Sequence, residues 1–170
     1  MKIRHMTLTF AAAALSSLLM FQPVTGAEDA LPSQAALAFA GQFSDDQLSG
    51  MLSRIGGRSQ AMVELSKLGG EYVAQVFDLQ IDAAVAKYGN QWKLNMAAAW
   101  EPLLTVEEMA SILAEGADSP HSEKYTGLRS EAGKAMQASS QELFGEILTE
   151  VIFETRRTLL EAAQEAPVSE

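Results

Sequence analysis

No cysteine occurs anywhere in the 170 residues. Its absence excludes thiol nucleophiles, Cys-ligated zinc, iron–sulfur clusters and CxxC redox motifs, and leaves any fold to stand on its core without disulfides. Histidine is nearly as scarce, with His5 and His121 alone. A HExxH zinc site and the paired Glu-x-x-His sets of di-iron bundles are therefore out of reach. Aromatics make up 7% of the chain, and basic residues number 12 against 22 acidic, a formal charge of −10. That balance disfavours nucleic acid and anionic lipid, both of which need an excess of Lys and Arg at the contact. Strand patterning is missing too, because no segment alternates apolar and polar residues with β-branched enrichment. No internal repeat of fixed period is present.

What is there begins with a targeting pattern. Lys2 and Arg4 form a positive start, residues 8–21 an apolar run, and Thr25-Gly26-Ala27 a small-residue cleavage site. We read residues 1–27 as a signal peptide, which makes the protein exported and periplasmic, with secretion as the alternative. The apolar run is short for a bilayer span of about 20 residues, so no stable membrane anchor is expected. Cleavage leaves 143 residues carrying a formal charge of −12, since the segment holds two basic and no acidic residues. That length suits one domain. Residues 28–33 read as a flexible leader, 34–165 as the domain and 166–170 as a frayed tail.

Helical periodicity fills the domain. Ser33 is placed to cap a first helix over 34–42, and Ser44-Asp45-Asp46-Gln47 has capping-box spacing ahead of Leu48, Met51, Leu52 and Ile55. Gly56-Gly57 is expected to end that second helix in a left-handed conformation. A long helix follows Ser59, with Met62, Leu65, Leu68, Tyr72, Val76, Leu79 and Val85 on one side. Gly69-Gly70 inside it costs roughly 2 kcal/mol of propensity, which predicts a kink or a split. Gly89-Asn90 is expected to close it and cap a short helix over 91–100 bearing Trp92 and Trp100. Core anchoring explains these two tryptophans better than a sugar-binding platform does. After Pro102, Thr105-Val106-Glu107-Glu108 forms another capping box, and Val106, Met109, Ile112 and Leu113 form a stripe for burial. Gly116 and Asp118-Ser119-Pro120 break the chain. The last helix starts near Pro120 and runs to about Gln164, bent or interrupted near Gly133 or Gly145. The expected fold is all-α, a single-domain helical bundle of about five to seven helices with a long C-terminal helix.

Residues 104–137 carry a resemblance. Leu104, Thr105, Glu107, Glu108 and Met109, then Ser119, Pro120 and Lys124, match the "Leu-Thr/Ser-x-Glu-Glu-Leu" and "Phe-Tyr-x-Ser-Pro-x-Gly-x-Lys" patterns of exported bacterial helical proteins. The stretch therefore resembles the DUF2059 family, over a region of about 90–155. In this chain the aromatic pair is absent and Ser122 replaces the glycine. The resemblance implies an exported helical domain with no catalytic residues to carry over.

Three constellations bear on chemistry. Glu107 and Glu108 form a carboxylate pair that capping explains without catalysis. His121 has Ser119 and Ser122 beside it, yet no Gly-x-Ser-x-Gly turn occurs to present a nucleophile. Glu142, Glu146, Glu150 and Glu154 stand four apart on one face of the last helix, where like charges oppose the helix by a few tenths of a kcal/mol per pair. Neutralisation by basic side chains such as Arg156 and Arg157 is the plain explanation for this row. A docking ridge for a basic partner, or for weakly held divalent cations, is the functional one. Met51, Met62, Met96, Met109 and Met136 are spread over separate helices, which suits core filling better than copper binding. No cofactor and no enzymatic activity are expected. Through Leu143, Phe144, Ile147, Leu148, Val151, Ile152, Leu159 and Leu160 the apolar stripe of the last helix is wide, which suggests cover by an unidentified protein partner or by self-association through that helix. A carrier of a small apolar ligand, lined by Phe77, Trp92 and Trp100, is the alternative.

Overall fold

The computed structural model describes residues 31–165. Five α-helices follow one another there: α1 Gln34–Gly41, α2 Ser44–Gly56, α3 Gln60–Trp100, α4 Val106–Glu115 and α5 Ser122–Glu165, with a 3-10 turn Gly116–Asp118 between the last two. Among the described residues no strand occurs. The chain is an all-α domain whose long C-terminal helix is α5. The segment read as a signal peptide, residues 28–30 of the expected leader and the expected tail fall outside the described residues.

Two long helices make the frame. α3 has 41 residues and α5 has 44, each roughly 60–65 Å at 1.5 Å per residue. They lie antiparallel, because contacts from higher positions on α3 reach lower positions on α5. Gln80 meets Thr158 at 3.5 Å, Lys87 meets Glu150 at 2.7 Å, and the Asn95 amide donates to Ser140 Oγ at 2.9 Å. α1 and α2 pack on α3, and α4 packs on α1.

The core runs along this frame. Phe39, Leu48, Leu52, Ile81, Trp92, Met109, Ile147 and Val151 are fully buried. At one end Phe39 meets Trp100 edge-on at 5.6 Å and Tyr125 at 5.8 Å, while Trp100 and Tyr125 sit 4.9 Å apart. One aromatic cluster thereby joins α1, α3 and α5. Trp92 and Trp100 are both buried, so they anchor the core as expected. Met62, Met96, Met109 and Met136 fill it as well.

Local signals hold where nothing competes with them. The Ser33 hydroxyl accepts from the Ala36 amide, and the Thr105–Glu108 capping box is complete, with distances of 3.3 and 2.9 Å. α3 bends at Gly69 and continues. Gly116, with φ of 59°, ends α4.

Elsewhere packing overrides the expectation. Gly89-Asn90 ends nothing: α3 runs through both, because the buried stripe of Ala84, Val85, Tyr88, Trp92 and Met96 continues across them. A Cβ on Gly89 would stand 3.1 Å from the Asp45 carboxylate, so this glycine admits α2 rather than stopping α3. Ser44 is not a cap, since Phe43 holds that position without a side-chain bond. Gln47 instead accepts the indole N–H of Trp92 at 3.2 Å. Gly57 is right-handed, not left-handed, and Gly56 is needed for contact, a Cβ there falling 2.7 Å from Phe77. α5 starts at Ser122 rather than Pro120 and passes Gly133 and Gly145 without interruption. Ile55, Tyr72, Leu79, Val106 and Leu113, all on stripes expected to be buried, are exposed.

Candidate functional site

The four glutamates of α5 do not behave as a unit. Glu150 is half-buried against α3, where its carboxylate accepts from Lys87 Nζ at 2.7 and 2.9 Å and from the Tyr88 hydroxyl. The Lys87 ammonium, and then the Tyr88 hydroxyl, hold that carboxyl below its usual range. Lys87 also sits 4.7 Å from the Tyr88 ring centre, a cation–π placement. Glu154 is taken by Arg157 at 2.6 Å, and Arg157 reaches Glu161 as well. Glu142 and Glu146 are exposed and make no ion pair among the described residues. Neutralisation thus comes from Lys87, on another helix, and from Arg157, while Arg156 pairs with none of the four. Among the described residues no three ligating side chains converge to hold a metal.

Glu108, read as a cap, does more. Its carboxylate closes the capping box and also accepts from Lys124 Nζ at 2.7 Å, with His121 Nδ1 at 3.9 Å. Lys124 first, and the Thr105 amide second, lower its pKa. One carboxylate ties the start of α4 to the start of α5. Ser119 is buried and shares a hydrogen bond of 2.8 Å with Ser111 Oγ, while its hydroxyl also accepts the His121 amide. Ser119 is thereby engaged in holding the turn, and His121 has the Glu108 carboxylate beside it.

A pronounced concavity lies elsewhere. A half-open groove of about 1210 Å³ runs between the first part of α3 and the last part of α5. Ala61, Glu64, Leu65, Gly69, Tyr72 and Val73 form one wall, and Thr149, Ile152, Phe153, Arg156, Leu159, Leu160, Ala162 and Ala163 the other. These positions recur at steps of three and four, so each helix presents a single stripe. Phe153 is 61% exposed, Leu160 52% and Tyr72 51%. The kink at Gly69 sits in the wall. Beside the groove, Gly145, Glu146, Thr149, Glu150 and Phe153 line a shallow depression of about 520 Å³. Thr149 and Phe153 border both, so part of the acidic row and the apolar groove are contiguous.

Of the α5 wall the apolar stripe in the sequence includes Ile152, Leu159 and Leu160 but not Phe153, and it gives no sign of the α3 wall. Tyr72 was assigned to a core face, and only the register of the finished helix turns it outward. Phe77, Trp92 and Trp100 fill the core and line no part of the groove. No family model matches the chain, and neither a curated protein nor a solved structure matches it.

Proposed function

We propose that the chain is an exported, periplasmic helical domain that works as a binding protein of the cell envelope, with the α3–α5 groove as its working surface. The observation that carries this is the exposure of Tyr72, Phe153 and Leu160 side by side in one apolar groove. Contiguous apolar surface of that kind is costly in water and marks interaction sites. Export rests on the N-terminal pattern, Lys2, Arg4 and the run 8–21. Membership of the DUF2059 family is part of the same proposal. The ion pair between Glu108 and Lys124 supports it, since both are matched positions and their contact fixes the break between them.

No catalytic role is proposed for Glu107, Glu108 or His121: Glu108 closes the capping box and pairs with Lys124, Glu107 stands in the first turn of α4, and His121 lies beside Glu108. A second reading, a carrier of a small apolar ligand or lipid, gains from the groove volume, which exceeds the roughly 300–1,000 Å³ of ordinary ligand sites. Its lining would be Leu65, Tyr72, Ile152 and Leu159 rather than the tryptophans.

The test is recovery of native complexes from the cell envelope with the unaltered protein and with Phe153→Ser/Leu160→Ser as baits, followed by mass spectrometry of proteins and lipids. A protein species enriched on the first bait and lost on the second is expected. Identical recoveries would remove the groove as the working surface.

A further inference from the structure

Resting on the groove as a docking surface, we propose that its occupant is an amphipathic helix of another polypeptide, apolar on one face and basic along one flank. Shape gives the first half. From Thr149 to Ala163 the α5 wall spans fifteen residues, about 21 Å of helix, and the facing α3 wall carries its own stripe on both sides of the kink at Gly69. Two helices that expose adjacent stripes leave a trough that a third helix fills with side chains at i, i+3, i+4 and i+7. The cavity is half open along its length, a form that suits a helix lying in it better than a ligand enclosed by it.

Charge gives the second half. Glu146 and Glu150 edge the depression that shares Phe153 with the groove, and Glu142 stands one turn further along the same face. Glu150 is satisfied by Lys87, and Glu64 on the other wall by Lys67, so the uncompensated charge on this rim is that of Glu142 and Glu146. A basic flank of the incoming helix meets them. Arg156, in the wall and without an ion pair among the described residues, takes a single carboxylate on the opposite flank. A second copy of this chain is a poorer occupant, because it brings the same unpaired Glu142 and Glu146 and no basic flank to meet them.

The experiment measures binding of the mature protein to two synthetic sixteen-residue helices with the same leucine stripe, one with lysine flanks and one with glutamate flanks. Fluorescence anisotropy at low and moderate salt gives the affinities. The lysine peptide is expected to bind about tenfold or more tightly, and the margin to shrink with salt. Glu142→Gln/Glu146→Gln is expected to weaken it by roughly two- to tenfold, the range of two exposed charge contacts, and Phe153→Ser to weaken both peptides. Circular dichroism establishes that the variants remain folded. Equal affinity for the two peptides, unaffected by the glutamate changes but lost in Phe153→Ser, would overturn the basic partner and leave the groove as a docking surface. Absence of both peptides from the groove would overturn both readings. Tighter binding of oleate than of either peptide, or a dimer in sedimentation equilibrium that Phe153→Ser dissolves, would overturn the helical partner in favour of that occupant.

Discussion

Gly56 and Gly133 are both helical glycines, and their surroundings give them opposite roles. A Cβ at Gly56 would lie 2.7 Å from Phe77 Cζ and 3.1 Å from Leu148 Cδ1, where α2, α3 and α5 meet, whereas Gly133 has nothing within 4 Å. Gly56→Ala is expected to lower stability in urea unfolding by about 1–3 kcal/mol through overpacking, against a propensity gain of about 1 kcal/mol. Gly133→Ala is expected to gain up to about 1 kcal/mol. Gln47 offers a second check, because its side chain satisfies an indole N–H on a residue only 2% exposed. Removing that acceptor in Gln47→Ala should cost roughly 1–3 kcal/mol. The capping-box spacing hid this role, since serine and glutamine three apart look the same whether or not a tryptophan competes for the amide.

Glu108 sets the acid response. Its folded pKa lies below the unfolded one, so its contribution is present above the usual carboxylate range and fades as pH falls through the folded value. In thermal unfolding the advantage of the native protein over Glu108→Gln is therefore expected at neutral pH and should shrink between about pH 5 and pH 3. Glu150 carries the same sign, for the same reason of a neighbouring lysine.

At the scale of elements, caps and breakers were legible where the backbone had a free choice. Ser33, Thr105 and Gly116 act as their local chemistry dictates, and the Gly69 kink falls inside the helix as two adjacent glycines imply. Gly89-Asn90 was illegible because its helical continuity comes from Trp92 being buried against Gln47 of α2 and Phe144 of α5, which are far away in sequence. The expectation for α3 follows from propensity. Gly69→Ala/Gly70→Ala recovers up to about 2 kcal/mol, with no atom within 4 Å of either new Cβ. The double variant should gain helical ellipticity and melt higher. Because Gly69 lines the groove, it should also alter affinity for any occupant.

For the whole molecule, the all-α class and the long terminal helix follow from periodicity alone, and the antiparallel α3–α5 frame is what periodicity does not specify. The acidic row was conspicuous in the sequence, but the structure divides it. Glu150 and Glu154 belong to internal pairs, while Glu142 and Glu146 remain outward beside a groove that no motif announces. Of that groove only Ile152, Leu159 and Leu160 stand on the apolar stripe legible in the sequence, since Phe153 and the α3 wall depend on the register of the finished helices. Among the described residues no helix is long and apolar enough to cross a membrane.

The central claim is that Phe153 and Leu160 are kept for contact with something else rather than for folding, and equilibrium urea unfolding of Phe153→Ser/Leu160→Ser tests it most directly. Surface substitutions usually change stability by no more than about 0.5 kcal/mol each, while truncating a buried residue such as Ile147→Ala costs about 2–5 kcal/mol. A double variant within about 1 kcal/mol of the native protein is the expected result. A loss of several kcal/mol, on the scale of Ile147→Ala, would show that the groove is closed in the folded molecule and would contradict the account.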